Sequence, residues 1–244
     1  LKIVIYLIGI FSIYKFFTNF RIDLKLIFIN LDYSQILLLI FISFLSFLYF
    51  LGSITPTLDG DSLAGYLALA REYFEARKMI SIDYHYGSSF PQNGQLISTL
   101  GFILGDQILA QLLISWLMGL LCCFTIFMIG KRIKNSRVGL FAAFIWYGSF
   151  SVAFINQSAK IDLAWTFFDL LAIFAFMNWW FSNNYKNKEN WLFVSGFLLS
   201  IAFGIKQVSA FTIVILVAAI LAKFFINKNY NFRLLSKNIL YFTI

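Results

Sequence analysis

Three stretches of this sequence set charged residues against apolar surroundings in ways that could do chemistry. TPTLDGDSLAGYLALAREYF, residues 55–74, carries Asp59 and Asp61 at the end of an apolar run, with Arg71 further on. A carboxylate held there could take a proton from an attacking hydroxyl. The same two residues suit a plainer task, because Asp is favoured at helix N-caps, where it satisfies free backbone amides. In SAKID, Lys160 precedes Asp162, which opens another apolar run either as an N-cap or as the partner of Lys160. Asp169 lies on the same helical face, about 10 Å deeper at ~1.5 Å per residue. An acid at that depth normally faces a partner or a polar cavity. Lys206, in GIKQ between two apolar runs, is placed either to snorkel towards water or to hold a phosphate.

Other reactive residue types give less. His85 is the single histidine, flanked by Tyr84 and Tyr86, so no histidine-based metal cluster can form and His85 reads as an ordinary loop residue. Cys122 and Cys123 are adjacent in an apolar run; neighbouring residues of a helix point apart, so they read as inert thiols rather than a disulfide. Two carboxylates alone make a weak case for a divalent ion. Neither a metal nor another cofactor is therefore expected. The sequence contains no glycine-rich phosphate cradle that would support a soluble nucleotide-driven mechanism, and the triplet NQS at 156–158 reads as a chance match to a glycosylation acceptor.

The elements that position these residues follow from composition. Of 244 residues, 61% are hydrophobic, 20% aromatic and only 12% charged, and the mean hydropathy is +0.82. A soluble domain carries about 25% charged residues. Too few polar groups remain to cover a surface in water, so the chain reads as an all-α, polytopic integral membrane helix bundle. The net charge of +8 is not gathered into a basic stripe with interleaved aromatics, which excludes a nucleic-acid partner.

Apolar runs predict spans at 36–53, 107–129, 138–155, 163–181, 191–205 and 208–225, a further one opening near Asn238, and the end of another over 1–14. Residues 1–35 form an apolar segment and loop, and 36–244 form the bundle. Because both ends fall in apolar runs, the sequence reads as a piece of a longer protein. Most of the 19 Lys and Arg lie in 15–34, KRIKNSR at 131–137, the loop with Lys186 and Lys188, and the tail with Lys223, Lys228, Arg233 and Lys237. Positive-inside bias makes those segments cytoplasmic and puts the loop 56–106, which holds both prolines, outside. Within it, Leu63, Tyr66, Leu67, Ala70, Tyr73 and Phe74 recur at helical spacing and predict an amphipathic interfacial helix, with a second over 95–104.

Taken in order, LDGDSLAGYLALAREYFEARKMI, YGSSFPQNGQLISTLGFILG, IGKRIKNSRVGLFAAFIW, SAKIDLAWTFFDLLAIFAFMNWW and GFLLSIAFGIKQVSAFTIVIL resemble the C-type membrane glycosyltransferases over about residues 36–226. The resemblance is to the bacterial branch related to dolichyl-phosphate-mannose–protein mannosyltransferases and lipid A aminoarabinose transferase. It implies a many-helix fold, a polyprenyl-phosphate-linked sugar donor, and an active site on the non-cytoplasmic face of the bacterial plasma membrane. The acceptor would be an envelope lipid, polysaccharide or protein, and membrane lipid would surround the bundle. Asp61 matches the acidic residue of the family's first outer loop with Asp59 beside it, Asp162 matches a second acidic position, and Lys206 matches the lysine of a G-x-K turn. The expected catalytic residues are therefore Asp61, Asp59 and Asp162, with Arg71, Lys160 and Lys206 near the donor phosphate. Gly65 and Tyr66 stand where many relatives carry Tyr-His, Gln95 stands where a Glu is frequent, and Asp169 has no counterpart.

Two rival readings are a transporter or flippase of lipid-linked saccharide, using Asp162 and Asp169, and an inactive relative acting as an assembly partner. Spans without proline, and without interruptions at matching places in two halves, weigh against a conduit.

Overall fold

The computed structural model describes residues 31–182, 185–226 and 232–243. The expected span over 1–14 and most of the loop 15–34 lie outside the described residues. Ten helices and no strand occur among the described residues. Four helices are long and apolar enough to cross a bilayer, and a bent pair of helices is so only when its two parts are taken together.

The first span, α1 (Tyr33–Ser53), starts three residues before the apolar run because Asp32 and Gln35 form a reciprocal capping box. The Asp32 carboxylate accepts from Gln35 N–H at 2.9 Å, and Gln35 Oε1 accepts from Asp32 N–H at 3.0 Å. Asp32 also pairs with Arg137, at the start of the helix Ser136–Tyr147. Hydrogen bonds from Ser34 and Arg137 hold its carboxyl well below the usual range. Along α1 the buried residues Leu38, Ile42, Ser46 and Tyr49 follow helical spacing, while Phe41, Phe44 and Phe47 are exposed, as a lipid-facing side requires.

The loop helices come next. A π-helical stretch, Asp61–Leu67, runs straight into α2 (Ala68–Ala76). The apolar face differs from the expected one. Leu67, Ala70 and Tyr73 are buried as predicted, but so is Leu69, while Leu63 and Phe74 are exposed. Two physical causes account for this. The π-helical stretch shifts the register relative to an ideal 3.6-residue helix, and Ile80 and Ile82 fold back over Leu69 and Tyr73 as a second apolar layer. The second loop helix, α3 (Asn93–Leu104), buries Gln95, Ser98, Thr99 and Phe102. It therefore packs into the bundle rather than resting on its surface.

The remaining helices are α4 (Gln107–Ile133), the bent pair α5 (Ser136–Tyr147) and α6 (Phe150–Asn156), α7 (Asp162–Phe181), α8 (Tyr185–Phe203), α9 (Ser209–Ile226) and α10 (Phe232–Thr243). The expected single span 138–155 is broken by a 69° bend. Gly148 ends α5, and the backbone of Ser149 is extended, its N–H and hydroxyl both turning back to the Trp146 carbonyl. The apolar part of α8, Glu189–Phe203, is shorter than a straight crossing needs, and α8 is paired along its length with α7. The last helix opens at Phe232, ahead of the position expected from the apolar run.

Three apolar clusters join these elements. Tyr49, Cys123, Leu140 and Tyr147 unite α1, α4 and α5, with the Tyr49 hydroxyl donating to the Tyr147 carbonyl at 2.9 Å. Cys122 and Cys123 point to different neighbours, the Leu163 and Ala143 carbonyls. Phe176, Trp179, Leu192, Leu199, Leu216 and Phe242 unite α7 to α10. Between them, Leu67, Ala70, Phe102, Ala110, Ile114, Ile161 and Ile205 seal the end of the bundle that carries the charged residues.

The seal depends on a close approach of α3 and α4, where a Cβ on Gly101 would lie 2.2 Å from Ala110 Cα. Backbone cannot yield there as a flexible side chain would. Gly101→Val is expected to destabilise the fold by about 1–3 kcal/mol, read as a lowered thermal midpoint in detergent with the helical signal retained at low temperature.

Candidate active site

Asp59, Asp61, Lys160, Asp162 and Lys206 meet at one end of the bundle, and they divide the work between them. Asp59 is the cap. Its Oδ2 accepts from Ser62 N–H at 2.9 Å and from the Ser62 hydroxyl at 2.7 Å. Ser62 Oγ in turn accepts from Ala159 N–H at 3.1 Å, tying the start of the loop helix to the α6–α7 linker. Asp61 makes no capping bond and its side chain is 72% exposed, against 19% for Asp59. Capping and availability for chemistry, open to either residue in the sequence, thus fall to different carboxylates.

Lys160 stands between them, its Nζ 3.3 Å from Asp59 Oδ1 and 3.3 Å from Asp61 Oδ2. Burial pushes the Asp59 carboxyl up, but the two Ser62 hydrogen bonds and the Lys160 ammonium outweigh it and leave its pKa below the usual value. Burial alone would lower the Lys160 pKa, and the two aspartates reverse this and raise it. Lys160 is therefore a fixed cation. Its ammonium also lies 5.5 Å from the Phe154 ring of α6.

The second lysine–aspartate pair joins α7 to the α8–α9 turn. Lys206 Nζ meets Asp162 Oδ1 at 2.6 Å and lies 5.6 Å from the Trp165 ring. Trp165 Nε1–H donates to Ser209 Oγ at 2.6 Å, which fixes the ring under the lysine. Asp162 thus pairs with Lys206, not with its sequence neighbour Lys160. One face of α7 carries both its acids: two turns deeper, Asp169 accepts from the Thr212 hydroxyl of α9 at 2.6 Å.

Two cavities meet at Asp61, Tyr66 and Lys206. One, of about 380 Å³, is walled by Lys160, Asp162 and the apolar residues Phe150, Phe154 and Ile155 of α6. The other, of about 400 Å³, is lined by Ala64, Gly65, His85, Phe90, Pro91, Gln95 and Ile205. Its shape comes from docking of PQNG onto GIKQ. Asn93 N–H donates to the Gly204 carbonyl at 2.9 Å, and Gly94 leaves room for Ile161 and Ile205.

Arg71 is not brought to this cluster. It pairs with Glu75 at 2.8 Å and borders a separate hollow with Glu72, Phe102 and Gln107. His85 and Gln95, by contrast, were not expected at the site. Gly87 N–H donates to His85 Nδ1 at 3.1 Å, so Nε2 carries the proton and donates to the Ala64 carbonyl at 2.6 Å, within the π-helical stretch. Only the fold, which brings residues 64 and 85 together, reveals this. Gln95 had a signal in its place after the PQNG turn, where relatives frequently carry a Glu. Among the described residues, no group of three or more His, Cys, Asp or Glu side chains converges as metal ligands do.

Apolar spans with lysine–aspartate pairs gathered at one end define a multi-pass membrane protein with a polar cluster where its helices end. The chain belongs to the dolichyl-phosphate-mannose-protein mannosyltransferase family, whose model matches residues 91–244. That match includes Gln95, Lys160, Asp162 and Lys206 and begins after Asp59, Asp61 and Arg71. An uncharacterized protein of Shigella flexneri is 30% identical over 94 residues, covering 38% of this chain and 47% of that relative. The matched region is thus about half the length of the relative. No solved structure matches significantly.

Because Asp59 closes the first turn, Asp59→Ala is expected to cost about 1 kcal/mol at pH 7. A carboxyl depressed in the folded state contributes stability above its ordinary value of 3.8, and loses it as pH falls through the folded pKa. The gap between wild-type and Asp59→Ala thermal midpoints should therefore narrow below pH 4.

Proposed function

We propose that this protein is a membrane glycosyltransferase that moves a sugar from a polyprenyl-phosphate donor to an envelope acceptor on the non-cytoplasmic face, with inversion at the anomeric carbon. The observation that carries this reading is the uncapped, exposed Asp61 carboxylate at the junction of two cavities, with Lys160 and Lys206 beside it. The family supplies the reaction class, and the geometry suggests the roles.

In this reading the donor phosphate lies near Lys160 and Lys206, and its apolar chain runs along Phe150 and Phe154 of α6. The acceptor hydroxyl gives its proton to Asp61 as its oxygen bonds to the anomeric carbon. The bond from that carbon to the phosphate oxygen breaks, and its electron pair leaves with the phosphate. Lysine charges already fixed beside that oxygen stabilise the charge that grows on it. Attack from the side opposite the phosphate inverts the centre. Asp59 holds the first turn in place, so it acts through Asp61 and Lys160. Asp162 keeps the Lys206 ammonium aimed. Arg71 has no part at the phosphate in this arrangement.

Transfer of radiolabelled polyprenyl-phosphate sugars to total envelope acceptors, in membranes containing the whole natural protein, tests the reading. Asp61→Asn should reduce transfer by on the order of 10²–10⁴-fold, and Lys206→Met by on the order of 10²–10³-fold. Asp169→Asn should leave it within a few-fold, because Asp169 serves a bond to Thr212 away from the junction. Transfer that survives Asp61→Asn would remove Asp61 from the mechanism. Transfer absent from wild type, with Asp169→Asn abolishing carrier movement across the membrane, would favour a transporter instead.

A further inference from the structure

The cavity lined by His85, Phe90 and Gln95 holds a polar group that the fold leaves unused. Gln95 is 3% exposed, and its Oε1 has no hydrogen-bond partner. Other buried or half-buried glutamines nearby are fully engaged. Gln92 donates to the Gly87 and Phe90 carbonyls and accepts from the Tyr73 hydroxyl. Gln111 accepts from Thr57 N–H and donates to the Thr55 and Gln157 carbonyls. An amide oxygen buried without a donor destabilises a fold, so Gln95, which lines the cavity, gains by turning that oxygen to a donor that arrives with a ligand.

The surroundings narrow the ligand's chemistry. Asp61 and Gln95 both line the cavity and their oxygens disfavour an anion, while Lys206 at the rim disfavours a cation. A neutral group that donates hydrogen bonds, a hydroxyl, suits all three. His85 offers nothing competing, since both of its ring nitrogens are held by backbone. Tyr66, Phe90 and Pro91 supply apolar walls for the C–H faces of a ring. At about 400 Å³ the space is at the small end of ligand pockets and fits one ring better than a chain. Lys206, shared with the neighbouring cavity, puts a phosphate and a ring within reach of each other.

We infer that this cavity receives the sugar ring of the lipid-linked donor and that Gln95 Oε1 accepts a hydrogen bond from one of its hydroxyls, making Gln95 a specificity-determining residue. The inference rests on the donor reading above and adds to it where the sugar sits and which side chain reads it.

Binding separates the two, because it needs no acceptor. Whole protein in nanodiscs would be titrated with bare polyprenyl phosphate and with polyprenyl phosphate bearing mannose, glucose, galactose or 4-aminoarabinose. The monodeoxy versions of the tightest binder would follow. One deoxy position should weaken wild-type binding about tenfold, the worth of one hydrogen bond. In Gln95→Met, a near-isosteric change without an acceptor oxygen, that same deoxy donor and its parent should bind within about twofold of each other. Gln95→Glu, which keeps an acceptor oxygen, should preserve the preference, and Ser98→Ala, one turn along the helix, should not alter it.

If no deoxy position matters in wild type, or if the same tenfold penalty persists in Gln95→Met, Gln95 does not read the sugar. Sugar-bearing carriers that bind no tighter than bare carrier would overturn the inference and leave the phosphate site standing. Should no carrier bind at all, the donor reading fails, and this inference with it. If Gln95→Met does not fold, Gln95→Leu, which also lacks an acceptor oxygen, makes the same comparison.

Discussion

In a membrane, backbone that leaves a helix must find hydrogen-bond partners in the protein, and here that constraint falls on the linker between α6 and α7. The carbonyl of Asn156 accepts from the Ser53 hydroxyl of α1 at 2.6 Å, and that of Gln157 accepts from the Gln111 amide of α4 at 3.2 Å. The carbonyl of Ser158 accepts from the Ser115 hydroxyl, and Ala159 N–H donates to Ser62 at the start of the loop helix. Consecutive peptide groups are thus held by polar side chains from α1, α4 and the loop. Gly119 of α4 completes the fit, since a Cβ there would overlap the Asn156 side chain. The linker carries Lys160 and leads into Asp162, so the bonds that satisfy its backbone also set the positions of the charges.

The site is built around pairs rather than isolated ions. At the edge of a hydrocarbon layer an unpaired charge is costly, and both Lys160 and Lys206 have a carboxylate within 3.3 Å. Pairing leaves each group part of its hydrogen-bonding capacity. Lys160 divides its charge between two aspartates, one of them already satisfied by Ser62, and Asp61 remains mostly open. A phosphate entering near the lysines would meet cations that aspartates already orient.

Much of this was legible in the residues. Composition alone indicates a helical membrane bundle, and the runs between charged clusters locate most spans, because apolar length and polar punctuation are strong one-dimensional signals. The grouping of Asp59, Asp61, Lys160, Asp162 and Lys206 was legible too, since each stands where an apolar run meets a polar one. Pairing was not: Lys160 is two residues from Asp162 yet pairs with Asp59 and Asp61, because the start of α7 turns Asp162 towards the α8–α9 turn. The bend at Gly148–Ser149 escaped notice, as neither residue is a proline and the flanking runs are uniformly apolar. The burial of Leu69 and the place of Gln95 at a cavity were not legible because their surroundings come from distant segments. Ile80 and Ile82 cover one, and the PQNG–GIKQ contact encloses the other.

The bend also bears on how the protein's kinetics should be expressed. Helix α6 leaves the line of α5 by 69° and turns Phe150 and Phe154 outward at the wall of the lysine-bearing cavity. Such a wall suits a ligand that enters sideways, from the bilayer rather than the water. For a hydrophobic ligand arriving by that door, the governing quantity is its mole fraction among the surrounding lipids, and molarity in the tube has little meaning. Diluting a vesicle suspension tenfold would then leave the occupancy of the cavity unchanged, whereas adding inert lipid to the same vesicles would reduce it.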